Sequence, residues 1–331
     1  MTTTKNVNWD EATQAVQAAE SILLVTHVFP DGDAIGSLLG LGNALQSLGK
    51  SVDLAVDGGV PDFLDFLPGA EVVQAELAAG TWDLMISLDA SDEERTGEVG
   101  AYGWVNSKTI INLDHHATNT LFGDIYLIDS QSVAAAEIVF HWLQKMEFAL
   151  TEEIARPLLT GLVTDTLGFR ISSVTANTLG IAQALMTAGA SLSEVTQRVL
   201  DSRPFAVVKL WKEAMQSMTL AENGVIFAEV TQEDYQHADV HSSVDISLAG
   251  FLIRVKESKV SVVFRETEEG DVTLSFRSKP GFDVSEIAFN LGGGGHKQAS
   301  GATIPGPLAD AKARVLTMLD EAVKKGKLII D

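Results

Sequence analysis

The sequence predicts an α/β protein: a mostly parallel N-terminal sheet with helices on both faces, followed by a smaller C-terminal α/β domain. Three observations predict it. Short, almost continuously apolar runs recur through the first half of the chain, amphipathic segments separate them, and a second set of strand-like runs begins near residue 222. Near-continuous apolar strands alternating with helices mark a parallel sheet buried on both sides. In order, "SILLVTH" (21–27), "SVDLAV" (51–56), "WDLMISLD" (82–89), "TIINLD" (109–114) and "GDIYLID" (123–129) read as strands. "DAIGSLLGLGNALQSLG" (33–49) and "VAAAEIVFHWLQKM" (133–146) are apolar at helical spacing. From about 150 to 220 the pattern is nearly all helical. "VIFAEV" (225–230), "KVSVVFRE" (259–266) and "DVTLSFRS" (271–278) then read as strands with partial alternation, and helices lie between and after them. The expected domains are 1–190 and 222–331, joined by a helical linker over 191–221.

The 331-residue chain is long enough for two real cores. No apolar run approaches the roughly 18 residues of a membrane span. The N-terminal stretch lacks a basic region followed by an apolar one, so no secretory signal is expected. Cysteine is absent, which excludes disulfides and thiolate-held metal, and the expected location is cytoplasmic. The net charge of −22 is uneven: residues 1–190 hold 7 Lys+Arg against 25 Asp+Glu, a net of −18, which leaves −4 for 191–331. Such a chain is not expected to coat long duplex nucleic acid, whose binding draws on many phosphate contacts. A small anion remains compatible where bound cations reverse the local field.

Residues 111–118, "INLDHHAT", end an apolar run on one acid and two adjacent histidines. Neighbours on a strand point to opposite faces, so a core has little use for both. A turn at a strand end can aim both into one cleft, and other segments offer partners there. "THVFPDGDAIGS" supplies His27, Asp31 and Asp33; "SLDASDEER" supplies Asp89; "NLDHHAT" supplies Asp114, His115 and His116; "LLTGLVTDTLGF" supplies Asp165. Each group alone has an ordinary alternative. Asp33 serves equally as a helix cap, "PDGD" as a turn, His27 as a structural histidine and Asp165 as a solvated helix position, although its neighbours are apolar. Taken together, they bring His and Asp to one end of one sheet, where ligands of such folds bind. Carboxylates and imidazoles without thiolate suit Mn²⁺, with Mg²⁺, Co²⁺ or Zn²⁺ also compatible. Crowded carboxylates repel one another unless cations bridge them. The acids Asp31, Asp33, Asp89 and Asp165 balance two divalent ions in formal charge, the usual clamp for phosphoryl transfer to water. In the C-terminal part, "LGGGGHKQASG" (291–301) sets four glycines before His296 and Lys297, with Arg277 at the end of a strand. Glycine lets backbone N–H groups approach a phosphate closely.

The segments "HVFPDGDAIGS", "SLDASD", "NLDHHATN" and "LLTGLVTDT" resemble the four motifs of the DHH phosphoesterase family, and "VTLSFRS" with "FNLGGGGHKQASGA" resembles the DHHA1 domain that follows it. Within the superfamily the layout looks like the nanoRNase/oligoribonuclease group, whose members degrade very short RNAs and remove the 3′-phosphate of 3′-phosphoadenosine 5′-phosphate. The resemblance implies that His27, Asp31 and Asp89 hold one metal and that Asp33, Asp89, His115 and Asp165 hold the other, with Asp89 bridging. It implies that His116 meets the phosphate or leaving oxygen and that Asp114 orients the histidines. Arg277 and the loop of Gly293, Gly294, Gly295, His296 and Lys297 then face the terminal phosphate and sugar of short single-stranded oligonucleotides or small nucleotides. A homodimer is compatible. Phe29 departs from the resemblance, standing where many relatives have a small or polar residue. The alternatives are a linear or cyclic dinucleotide phosphodiesterase, a pyrophosphatase, a long-DNA exonuclease and a non-catalytic nucleotide-sensing module. The added Gly-rich domain disfavours the pyrophosphatase, the acidity disfavours the long-DNA exonuclease, and the intact ligand set disfavours the sensing module.

Overall fold

The computed structural model describes residues 5–241 and 247–324. Two compact units divide the chain, Met1–Ser202 and Arg203–Asp331. In the first, the elements run β1 (Lys5–Val7), α1 (Trp9–Ala18), β2 (Ser21–Thr26), α2 (Gly32–Ser47), β3 (Ser51–Ala55), β4 (Trp82–Leu88), α3 (Gly97–Asn106), β5 (Ser107–Asp114), β6 (Ile125–Asp129), α4 (Ala135–Lys145), α5 (Glu152–Asp165), α6 (Ala176–Thr187) and α7 (Leu192–Val199). The sheet order is β1-β6-β5-β4-β2-β3. Neighbours from β3 to β6 pair in parallel, and β1 adds an antiparallel edge through Lys5 opposite Asp129. The mostly parallel sheet therefore agrees with the sequence, and β1 is new.

The period-2 geometry of a strand divides the core. Ile22 and Leu24 of β2 face the large cluster built with α1, α2, α4 and α5, while Leu23 and Val25 face a smaller one with Met85, Val99 and Ile110 under α3. Both faces are thus covered, as the apolar runs require. The chain leaves β2 toward β3 on one side and places β4 on the other. Such a reversal opens a crevice outside the strand ends, the usual ligand position. Thr26 of β2 and Leu88 of β4 are partners there.

Helices α2 and α5 pack antiparallel at very close range. A Cβ added at Gly32 would meet Thr164, one at Gly36 would meet the Pro157 carbonyl oxygen at 2.4 Å, and one at Gly40 would meet Leu158. Glycine every fourth residue puts this bare stripe on one face of α2. It draws the start of α2 to the end of α5.

The second unit continues with α8 (Phe205–Ala214), β7 (Thr219–Leu220), β8 (Val225–Val230), α9 (Gln232–Ala238), α10 (Leu248–Leu252), β9 (Val260–Glu266), β10 (Val272–Ser278), α11 (Ser285–Asn290), β11 (Gly294–His296), β12 (Ala299–Ile304) and α12 (Leu308–Lys324). Its sheet order is β11-β12-β10-β9-β8-β7, with β8 and β9 parallel and the other pairs antiparallel. One core packs α11 and α12 on the sheet, the other α8, α9 and α10. The stretch 191–221, expected as a helical linker, contains α7 of the first unit and α8 of the second.

Candidate metal centre

The ends of β2, β4 and β5 and of helix α5 bring six of the expected ligands together in the first unit. Donor atoms of His27, Asp31 and Asp89 all lie within 4.8 Å of one another, and so do those of Asp33, His115 and Asp165, and those of Asp89, Asp114, His115 and His116.

Asp89 sits in left-handed backbone, φ 57°, which is uncommon outside glycine. Its N–H donates to the Leu113 carbonyl at 2.9 Å, which fixes the turn. The buried carboxylate faces two ways: Oδ2 lies 3.6 Å from His27 Nε2, and Oδ1 lies 3.4 Å from His115 Nε2 and 3.6 Å from His116 Nδ1. Oδ1 has no hydrogen-bond partner among the described residues. Burial without a partner is expensive, and separations of this size suit donors that share a cation about 2.0–2.2 Å from each. The orphaned oxygen between two imidazoles therefore fits a metal ion.

His27 is buried, and its Nδ1 bonds to the Val28 carbonyl at 2.9 Å, which makes Nδ1 the protonated nitrogen and turns Nε2 toward Asp89 and Asp31. Asp31 caps α2: its Oδ1 accepts from the N–H groups of Asp33 and Ala34, each at 3.0 Å. The cap of α2 is thus Asp31 and not Asp33. Asp33 lies one residue inside the helix, fully buried, and its oxygens accept from Ala135 N–H at 2.5 Å and Ala136 N–H at 3.0 Å at the start of α4. It caps a different helix, and it still lies 3.8 Å from His115 Nε2. Asp165 Oδ2, at the end of α5, is 3.3 Å from the same nitrogen.

The electrostatics are those of a site short of positive charge. Burial, reinforced by Asp89, pushes the Asp33 carboxyl up to about 7. Burial with Asp33 and Asp31 nearby raises Asp165 well above the ordinary carboxylate range. Burial also opposes ionisation of Asp89, but His115 and His27 outweigh it and hold that carboxyl below its usual range. The two histidines answer in kind: burial works against their charge, yet Asp89 and its neighbours raise both, His115 strongly.

Asp114 is fully buried, and its Oδ1 lies 2.7 Å from His116 Nδ1 and accepts from His115 N–H at 2.8 Å. Its Oδ2 accepts from Asn119 Nδ2 at 2.7 Å. The same Asn119 amide reaches the carbonyl of Ala90, the residue after Asp89. The sequence reading does not include Asn119; its signal there is an amide five residues past Asp114, within "NLDHHATN".

In the second unit Arg277 on β10 lies opposite Ala299 on β12, which lies opposite His296 on β11. Arg277 Nη1 donates to the Phe276 carbonyl at 2.8 Å. Gly293 has no room for a Cβ, which would meet the Gly301 oxygen at 2.1 Å, and Gly295 has φ 131°. Gly294 is open, Lys297 is exposed, and the His296 side chain lies outside the described residues.

Among the described residues no helix is long and apolar enough to cross a membrane. The family model for the DHH family, N-terminal domain, matches residues 21–162, and that for the DHHA1 domain matches residues 222–325. The chain is 37% identical over 317 residues to the bifunctional oligoribonuclease and PAP phosphatase NrnA of Thermus thermophilus, covering 94% of this chain and 93% of that one. It is 28% identical over 297 residues to the protein of the same name from Bacillus subtilis, covering 89% and 92%. An exopolyphosphatase-related protein from Bacteroides fragilis superposes with a TM-score of 0.88 at 26% identity, covering 96% of this chain and 97% of that one. The motif residues, the fold around them and a full-length relative at 37% identity agree, and the chain belongs to the DHH–DHHA1 phosphoesterase family.

Proposed function

We propose that this protein is a hydrolase of short oligonucleotides, dinucleotides included, and of 3′-phosphoadenosine 5′-phosphate, working with two divalent cations, Mn²⁺ foremost. The observation that carries the reading is the split carboxylate of Asp89, with one oxygen toward His27 and the other toward His115. A carboxylate that serves two donor groups at once is a bridge. His27, Asp31 and Asp89 would hold one ion, and Asp33, Asp89, His115 and Asp165 the other. Mn²⁺ suits this mixture of imidazole and carboxylate better than Mg²⁺ does. When bound, the cations stabilise charge on the phosphoryl oxygens and acidify a water.

The protein's own groups do the rest. Asp114 accepts the Nδ1–H of His116 and so sets its tautomer, making Nε2 the nitrogen that bonds the phosphate or hands a proton to the leaving oxygen. Asn119 holds Asp114 in turn. Arg277, Gly293, Gly294, Gly295, His296 and Lys297 bind a second phosphate of the substrate; the support is the strand row that aligns Arg277 with His296 and the tight backbone at Gly293. Full-length similarity to relatives named for oligoribonuclease and PAP phosphatase activity supports the substrate class. The net charge of −22 supports short substrates over long duplexes.

Product analysis tests the proposal. With Mn²⁺ present, 5′-labelled oligonucleotides of graded length from two nucleotides upward are compared with 3′-phosphoadenosine 5′-phosphate and with a cyclic dinucleotide. Mononucleotides from the shortest chains and adenosine monophosphate from the bisphosphate are expected. Turnover that survives exhaustive chelation, or a preference for long strands, would overturn the reading.

A further inference from the structure

Left-handed backbone outside glycine is rare, and several of the described residues that adopt it lie on the loops that leave the metal centre. Besides Asp89, it occurs at Phe29 just past β2, at Leu121 between β5 and β6, and at Leu167 just past α5. These three side chains are apolar and exposed, Phe29 at 93% and Leu167 at 54%. A single exposed apolar residue is ordinary. Phe29 is not, because its backbone is disfavoured for any residue with a Cβ and the following Pro30 restricts it further. No burial compensates. The peptide is pinned on both sides: Val28 N–H donates to the Arg95 carbonyl at 2.8 Å, and Asp31 caps α2. The backbone is thus pinned, and the ring stands in solvent on the short link between His27 and Asp31.

We infer that Phe29 is the stacking platform for the nucleobase next to the scissile phosphate. The inference rests on the proposed function and adds the recognition of the base to it. A phosphate at the cluster carries its nucleoside a few ångströms away, and the cluster itself is made of carboxylates and imidazoles committed to ions and to one another. An exposed aromatic ring on pinned backbone, two residues from each of two ligands, meets that need. Every base has a π-face, so such a platform accepts all four bases. It grips a nucleotide more than a bare phosphate ester, and Leu167, two residues past Asp165, adds a second apolar surface.

The test compares ApA with an analogue that lacks one base, using the full chain, Phe29→Ala and Phe29→Trp with Mn²⁺. The readout is the ratio of kcat/KM on ApA to that on the abasic analogue. In Phe29→Ala this ratio falls about 5- to 150-fold, the range for one stacked base, mainly through KM, and Phe29→Trp restores it. Independently, the tryptophan emission that Phe29→Trp adds over wild type is quenched when adenosine 5′-monophosphate, a product and not a substrate, is added to the protein with Mn²⁺ already present. A ratio within twofold of wild type in Phe29→Ala, or equal loss on both substrates, would overturn the platform. Should wild type cleave neither substrate, the proposed function fails, and emission alone decides: quenching upholds the platform, and none overturns it.

Discussion

Gly36→Ala tests whether the contact of α2 with α5 sets the geometry of the metal centre. The new Cβ would stand 2.4 Å from the Pro157 carbonyl oxygen and 2.9 Å from the Gly161 nitrogen. Both obstacles are backbone, so no side chain can swing aside, and α5 must retreat by roughly 1 Å to reach an ordinary contact distance of about 3.5 Å. Overpacking of this kind costs about 1–3 kcal/mol, with the upper end apt for a rigid obstacle. Replacing glycine inside a helix returns about 1 kcal/mol. The net is a destabilisation of about 2 kcal/mol, or a fall in Tm of roughly 4–8 °C for a unit of this size. The same retreat carries Asp165 away from His115 Nε2, now 3.3 Å from it. A misplacement of about 1 Å can lower turnover on the order of 100-fold. Calorimetry on chelator-treated protein and kcat on ApA with saturating Mn²⁺ measure the two effects. Gly180→Ala is the control: it lies exposed in α6, a Cβ there meets nothing within 4 Å, and a gain of about 1 kcal/mol is expected. If Gly36→Ala raised Tm as the control does and kept its kcat, the close-packing argument would be refuted.

Asp89→Ala should remove metal-dependent turnover while the protein stays folded, since the residue serves both donor groups; retention of more than about a tenth of kcat, a loss under about 1.4 kcal/mol, would exclude a bridging role. Arg277→Ala should lower kcat/KM on a dinucleotide about 10- to 150-fold, as expected for a charge-assisted contact of about 1.5–3 kcal/mol, at unchanged manganese content measured by elemental analysis. Chelator-treated protein should lose Tm as pH rises from about 5 to 8. Asp33, at about 7, and the raised Asp165, His115 and His27 keep protons in the fold that the unfolded chain releases earlier, so stability is highest at the acidic end. Mn²⁺ needs those groups deprotonated, so its stabilisation should grow over the same interval; a flat Tm profile without metal would contradict the charge reading.

Much of this site was legible in the sequence because its donors end apolar strands, where periodicity and chemistry change within one or two residues. His27 after "SILLVT", Asp89 after "WDLMISL" and His115 after "TIINLD" are of that kind. What stayed hidden depends on contacts between distant segments. The cap that Asp33 makes spans 102 residues to Ala135, and nothing in the sequence near Asp33 marks it. β1 has three residues, too few for any period to register, and exists through its pairing with β6. Helix α3 carries Gly97, Gly100 and Gly103, poor helix formers, and is held by packing: Gly103 sits against Leu23 and Met85. β12 leaves a weak signal for a similar reason: its run "ASGATI" contains a glycine at Gly301 and only one β-branched pair.

The docking of Asp33 on the first amides of α4 changes the electrostatics of the whole entrance. A helix start carries roughly half a positive charge; two divalent ions would balance Asp31, Asp33, Asp89 and Asp165, and the starts of α2 and α4 together offset the fifth carboxylate, Asp114. A chain of net −22 would then hold a charge-balanced pocket, with its cations facing the substrate, inside a broadly repelling field. Within about a Debye length of the surface, about 8 Å at physiological salt, an incoming nucleotide meets the repulsion of the surrounding acids before it reaches the ions. Added neutral salt screens the far field more than the near one, so capture of short anionic substrates should quicken with moderate ionic strength, the reverse of the trend in proteins that grip duplexes through surface lysines.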